Sequence, residues 1–392
     1  MSLLSGIRVL DLSLQLPGPF CTLMMADYGA DVVKVDEPFP RMRNPFAGEK
    51  PGLSPTDRYL NRGKRSLTLN LKSPEGKEIF GALAESADVV VEGFRPGVTA
   101  RLGVDYATLS ARNPRLVYCS ISGFGQAGPM RDVAGHDINY ISYAGILGLC
   151  GPRDGPPALP AVQIGDLFGG AMMALSGILM ALLSRQATGV GRLVDVSMTD
   201  GAFAMFSLHA ASYLAGGEEP RRGEMILTGR YPCYDVYRCS DGEYVSLGAL
   251  EPWFWKGFVE AIGREDLAGL QYAAGEEGER VRADLRKLFG SKSREEWVRF
   301  FDGKDICFSP VLSLSEAVSH PNVKERDMVI EVGSPLGGRE RQPGLPIKFP
   351  GTAAAPRRSP FLGEHDEEIL KDLGFTAQRV EELRKKGVIR GE

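Results

Sequence analysis

Residues 7–36 read as strand, turn, helix and strand. "IRVLDLS" (7–13) is a short apolar run, "LPGPFCTLMMADYGA" passes from a Pro/Gly turn into a helical run ending at Gly29, and "DVVKVDEP" is a second apolar run. That order is a parallel βαβ unit, and a chain that opens this way is committed to an open α/β sheet. A second unit follows. Its helix, "SPEGKEIFGALAESA" (73–87), has Ser73 and Glu75 to Glu78 placed for a capped start, and its strand is "DVVVEGF" (88–94). "PRLVYCSISGFG" (114–125) adds another strand that ends in a Gly-rich loop.

Sheets of this kind bind ligands at the carboxyl ends of their strands, so the loops after Ser13, Phe94 and Ser122 are where function should gather. The first turn reads "LQLPGPF" rather than G-x-G-x-x-G, which argues against a nicotinamide dehydrogenase. The chain also lacks a G-x-x-x-x-G-K-[ST] phosphate loop and a G-x-S-x-G nucleophile elbow.

Further along, Leu167 to Leu183 is uncharged and about as long as the shortest membrane-spanning helices. Its glycines, serine and methionines, set between Asp166 and Arg185, fit a helix buried in a large globular domain better. "GRLVDVSMTDGAFAMF" (191–206) is another strand leading into a helix, and the polar run "GGEEPRRGE" (216–224) reads as a linker. Beyond it, "YPCYDVYRCSDGEYVSLGAL" (231–250) alternates about the turn "SDGE" as a hairpin does, and "EPWFWKGFVEAIG" and "SREEWVRFF" are helical. The expected organisation is a large domain over 1–215, a linker at 216–225, a small α+β domain over 226–330, and a Pro-rich then helical segment over 331–392 that packs back onto the large domain.

With 43% apolar and 24% charged residues the chain can bury a full core. Its formal net charge of −4, with both signs mixed along the sequence, provides no field that would gather nucleic acid or an anionic membrane. The cysteines, Cys21, Cys119, Cys150, Cys233, Cys239 and Cys307, form no C-x-x-C pair and lie outside metal-ligand spacing of any histidine. Reduced thiols, no metal site and a cytoplasmic location are expected, the last also from an N-terminus without a basic n-region or cleavage site.

A few residues stand out chemically. Asp166 stands where an N-cap residue stands, and capping alone accounts for it. The same position also offers backbone N–H groups to an oxyanion, a dipole that keeps a carboxylate ionised, and, through Gly169 and Gly170, room for a ligand. His136, in "AGHDINY", follows a loop-forming "QAGPMRDVAG", where an imidazole can serve as acid and base as readily as it can be structural. Glu251, in "GALEP", occupies a capping position, and a carboxylate there can instead orient an imidazole. The basic runs "NRGKRSLTLNLK" (61–72) and "FRPGVTARLG" (94–103) are solvated surface by default, yet at the ligand-binding edge their arginine forks suit phosphates.

Together "GHDINY" (135–140), "GD" followed by "GG" (165–170), "GALEP" (248–252), "EGFRPGVTARLG" (92–103) and "NRGKRSLTLNLK" (61–72) resemble the family III CoA transferases, and within them the α-methylacyl-CoA racemase branch. The resemblance covers nearly the whole chain, including "LGEHDEEILKDLG" (362–374). It implies a Rossmann-like large domain, a small domain, and two chains interlocked as a homodimer, with each active site between the large domain of one chain and the small domain of the other. It also implies an acyl-CoA substrate and no other cofactor.

Carried onto this sequence, the resemblance makes His136 and Asp166 the two bases of a racemase, with Glu251 partnering His136. In a transferase, Asp166 would instead attack the thioester. Arg95 and Arg101 would contact the CoA phosphates, with Lys64 and Tyr140 as further candidates and Gly135 in the same motif. The enolate oxygen is expected on backbone amides near Asp166. Two positions depart from the racemase pattern. Glu37 stands where an arginine before proline is expected, so that contact is either missing or supplied by Arg41 or Arg43, and "GRYPCY" (229–234) replaces a "GGAPFY"-like run.

Overall fold

The computed structural model describes residues 2–39, 53–351 and 356–391 of the 392. Among these, the chain divides into two compact units. One comprises residues 1–146, 160–206 and 322–392, and the other residues 147–159 and 207–321. The second unit therefore begins upstream of the run read as a linker, and it also takes in the short segment 147–159.

The first unit is built on a six-stranded parallel sheet of β1 (Arg8–Asp11), β2 (Asp31–Asp36), β3 (Arg65–Thr68), β4 (Val89–Glu92), β5 (Val117–Ser122) and β6 (Leu193–Ser197). Its spatial order is β3-β2-β1-β4-β5-β6, the doubly wound arrangement whose strand order reverses between β1 and β4. Burial on both faces explains why β2, β4 and β5 are rich in apolar residues. Leu10, Val33, Leu67, Val90 and Tyr118 face one layer with Phe80 and Leu83, whereas Val9, Val32, Val89, Val91, Val117 and Cys119 face the other with Met24, Leu175 and Ile178. β3 was not expected as a strand. It lies inside the basic run at the sheet edge, where Ser66 and Thr68 bond to the C-terminal segment: Thr68 N and Oγ1 donate to Asp366, and Arg390 N donates to Thr68 Oγ1 at 2.8 Å. The helices Asp366–Asp372 and Ala377–Lys385 then bury Ile369, Leu370, Val380 and Leu383 against that layer.

The apolar stretch forms π-helical turns over Ile164–Met172 that continue as an α-helix over Met173–Thr188. Its length and composition would suffice to cross a membrane, but Ala171, Ala174, Leu175, Ile178, Ala181 and Leu182 belong to the sheet's core. The expectation of a fully buried helix is corrected, because its other face is open: Met180 and Leu183 are each 69% exposed.

In the second unit the expected hairpin pairs β7 (Tyr234–Arg238) with β8 (Tyr244–Gly248), and β9 (Phe308–Pro310) adds an unexpected third antiparallel strand. The aromatic residues Trp255, Phe258, Phe289, Trp297 and Phe301 fill its core. The helices Pro252–Ala261 and Arg294–Phe301 form where the sequence indicated, the latter opened by a reciprocal cap between Ser293 and Glu296.

Candidate active site

Tyr140 organises the carboxyl edge of β5. Its ring is buried against Gly123, Gly135 and Gly165, and a Cβ on Gly123 or Gly135 would lie 2.5 or 2.7 Å from a ring carbon. Those positions are glycine because nothing larger fits beside the ring. The hydroxyl donates to the Gly135 carbonyl at 2.5 Å, and Phe124 meets the ring edge-to-face at 5.4 Å. Tyr140 thus shapes the loop ahead of His136, and its only hydroxyl proton is engaged there. Burial, followed by the charges of Asp166 and Asp137, pushes that hydroxyl up to about 12. The Gly135→Ala variant is expected to lose about 1–3 kcal/mol of stability, read by urea unfolding, because its methyl must displace the ring.

His136 is the N-cap of a helix, Asp137–Tyr143, rather than part of a free loop. Its backbone N–H donates to Asn139 Oδ1 at 3.0 Å, and its side chain is exposed. Asp166 is not an N-cap residue: the π-helical turns start at Ile164, and Asp166 is their third residue. Its backbone N–H is already bonded to Asp137 Oδ1 at 2.9 Å, so this amide is not available to an oxyanion. Gly169 and Gly170 also differ from expectation, since a Cβ on Gly169 would lie 2.3 Å from the Met198 carbonyl and one on Gly170 2.9 Å from Pro17 Cβ. They make room for the helix Met198–Met205 and for the first turn, not for a ligand. Burial and then the charge of Asp137 push the half-buried Asp166 carboxyl up to about 6, against the opposing influence of His136. The Asp166 main chain is thus bonded to the residue that follows His136, which joins two segments 29 residues apart.

The expected phosphate contacts separate. Lys64 is corrected: its ammonium is fully buried among four acceptors, Asp11 Oδ2 at 3.0 Å, Thr22 Oγ1 at 2.8 Å, the Pro19 carbonyl at 3.1 Å and Asn61 Oδ1 at 3.2 Å, which occupy its three protons. Arg95 and Arg101 are exposed and make no ion pair among the described residues. Arg131, which the sequence reading did not single out, joins them: a Cβ at Gly97 would lie 3.5 Å from Arg131 Nη2 and 3.7 Å from Arg101 Nη1. Glu92, also not singled out, accepts the Phe94 N–H at 2.8 Å and so fixes the turn that carries Arg95. Burial raises its carboxyl to about 7.

Beyond the carboxyl ends of β1, β2 and β3 a cavity of about 100 Å³ is lined by Leu12, Val35, Leu69, Phe94 and Leu102 together with Glu37 and Lys72. Glu37 and Lys72 pair at 3.6 Å. Arg41 and Arg43 lie outside the described residues. In the second unit, Glu251 is the N-cap residue of Pro252–Ala261, yet its exposed carboxylate makes no capping bond and acts electrostatically on Cys307 and Tyr272. Among the described residues, no group of three His, Cys, Asp or Glu side chains is placed to hold a metal.

The doubly wound sheet thus carries an imidazole, two carboxyl groups and exposed arginines in the loops that follow its strands. The chain belongs to CoA-transferase family III, whose sequence profile matches residues 4–366. It is 37% identical to the α-methylacyl-CoA racemase of Homo sapiens, over 98% of this chain and 97% of that one. It is 35% identical to the succinyl-CoA:mesaconate CoA-transferase of Haloarcula marismortui, over 95% and 97%. A crystal structure of a CAIB/BAIF family protein from Brucella suis superposes with a TM-score of 0.80 at 30% identity, covering 95% of this chain and 99% of that one.

Proposed function

We propose that this enzyme is an α-methylacyl-CoA racemase. The observation that carries this reading is the hydrogen bond from the Asp166 backbone N–H to Asp137 Oδ1 at 2.9 Å, which brings Asp166 beside the start of the helix that His136 caps. One base removes the α-proton of a 2-methylacyl-CoA and the other returns a proton from the opposite face. Which base acts first depends on the configuration of the substrate. The CoA phosphates lie on the exposed Arg95 and Arg101, which follow β4 beside the β1/β4 reversal, where a sheet of this order takes a nucleotide. No further cofactor is required. A pure enantiomer incubated in D2O is expected to gain deuterium at the α-carbon and lose optical purity. Retention of both the proton and the configuration would end this reading.

A second reading is CoA transfer, favoured by the likeness to the Haloarcula transferase and by "GRYPCY" at 229–234. There Asp166 attacks the thioester carbonyl and expels CoA, forming an acyl anhydride. Added carboxylate acceptors distinguish the two, because only a transferase moves CoA onto them.

The open face of the helix Met173–Thr188, with Leu179, Met180 and Leu183 exposed, supports a homodimer in which a second copy covers it and supplies Glu251 beside His136. Co-expressing His136→Ala chains with Glu251→Ala chains then restores activity to about a quarter of the sites, since one site of each mixed dimer is intact. No recovery in the mixed preparation would place both residues of a site on a single chain.

A further inference from the structure

Glu92 lies where neither proton transfer nor phosphate binding calls for an acid. It ends β4 at 2% exposure, and its carboxyl makes no ion pair among the described residues. Its Oε2 accepts the N–H of Phe94, two residues on, at 2.8 Å, and Ser120, its register partner on β5, donates a hydroxyl to the same carboxyl. Those bonds set the course of the chain at the carboxyl end of β4. Phe94 forms a wall of the cavity beyond β1, β2 and β3, Arg95 follows it into solvent, and the helix Val98–Leu102 that comes next carries Arg101. One buried carboxyl thus ties down a segment that presents both an apolar wall and two exposed guanidinium groups.

We infer that Glu92 is a positioning residue for CoA: its ionised carboxylate latches the Phe94–Arg95 turn in the form that binds the nucleotide, and a proton on it loosens that grip. The inference rests on the reading that Arg95 and Arg101 hold CoA phosphates. A carboxylate accepts a backbone N–H roughly twice as strongly as a neutral group does. A turn held by the weaker bond spends part of its time in other arrangements, and apparent affinity falls with the fraction lost.

The surroundings place this change in the neutral range. Burial raises the Glu92 carboxyl to about 7 against the bonds from Ser120 and Phe94, and Asp195, the register partner of Ser120 on β6, raises it further. Asp11, at the end of β1, faces the opposite layer with Lys64. Tyr118, on β5, donates its hydroxyl to the Val104 carbonyl, and Asp105 acts on that hydroxyl but not on Glu92. Arg95, Arg101 and Arg131, and Glu37 and Lys72 across the cavity, add no charge that acts on Glu92. A phosphate resting on those arginines therefore couples to Glu92 through the turn rather than through its charge.

CoA itself is the probe. Its Kd is measured by calorimetry between about pH 6 and about pH 8 for the unaltered protein, for Glu92→Gln, which keeps a neutral acceptor, and for Glu92→Ala, which keeps none. At the upper pH the unaltered protein is expected to bind CoA about 3–10-fold more tightly than Glu92→Gln, and at the lower pH to approach it, while Glu92→Ala binds more weakly than either throughout. The terminal phosphate of CoA, which titrates near ~6, contributes equally to all three. Carbon NMR of protein labelled at glutamate Cδ, with the signal assigned by its loss in Glu92→Gln, reads the latch in the unaltered protein. Saturating CoA is expected to lower the pH at which Glu92 titrates, because the form that binds more tightly is the form that binding favours. Equal affinities of the unaltered protein and Glu92→Gln at the upper pH, or a Glu92 titration that CoA leaves in place or raises, overturn the latch and leave the CoA reading standing. So does a Glu92 that titrates near ~4.3, the ordinary glutamate value, in the free protein. An unaltered protein that binds no CoA at any of these pH values overturns the CoA reading and the latch with it.

Discussion

His136→Ala is expected to lower α-proton exchange by about 10²–10⁴-fold, the contribution of a positioned acid–base group. The imidazole is exposed and its residue caps its helix through the backbone, so the substitution leaves the fold alone and the loss is chemical. Deuterium incorporation from D2O, followed separately from each enantiomer, is the measurement. The loss should appear in both directions, because each passes through both bases. CoA transfer to an added carboxylate, measured on the same variant, provides the contrast. Transfer through an Asp166 anhydride does not need the imidazole, so a variant that keeps full transfer identifies a transferase and removes the racemase reading.

Asp11→Ala is expected to cost about 3–5 kcal/mol of folding stability, because it leaves the Lys64 ammonium buried without its counter-charge. Asp11 ends β1 beneath the first ligand-binding loop, and both its carboxylate oxygens are used: Ser13 N at 2.9 Å and Ser13 Oγ at 2.5 Å donate to Oδ1, and Thr22 Oγ1 at 2.6 Å and Lys64 Nζ at 3.0 Å donate to Oδ2. Burial alone would raise its carboxyl, but Lys64, Lys34 and these hydrogen bonds hold it down at about 2. A carboxyl lowered on folding stabilises the native state above its unfolded value, about 3.9, and that contribution disappears as pH falls from there through about 2. Urea unfolding at neutral pH should show the full difference between the two proteins, and the difference should shrink below pH ~4. Adding Lys64→Met to Asp11→Ala should recover much of the loss, since the unpaired charge is then gone.

How much of this was legible in the sequence follows from where the signals lie. The βαβ openings, the strand at Val117–Ser122, the hairpin about "SDGE" and the capped helices announce themselves because period, turn residues and caps are local. β3 did not: four residues at a sheet edge, inside a run of lysine and arginine, carry too little periodicity, and their pairing is completed from residue 366 onward. Lys64 looked like its basic neighbours because a positive charge in sequence carries no mark of burial, and the acid that buries it is 53 residues away. The sequence singled out His136, Asp166 and the arginines, but the local geometry around them was not legible in it. The helix start fell before Asp166, and the two glycines after it served packing. Asp137 stood in a quoted motif without a role, because its partner is a backbone amide in another segment.

The first unit is discontinuous, with its last portion arriving from residue 322 onward, after the whole of the second unit has been made. On the ribosome the sheet must therefore wait, with the side of β3 that meets the Asp366 region open and Leu67 uncovered, until residues 366–390 have emerged. Long-range closure of this kind is slow, and the waiting chain exposes an edge and an apolar face to its neighbours. The order of synthesis thus makes the last turns of the polypeptide the step that commits the earlier strands, and yield in the cell depends on how well that interval is protected.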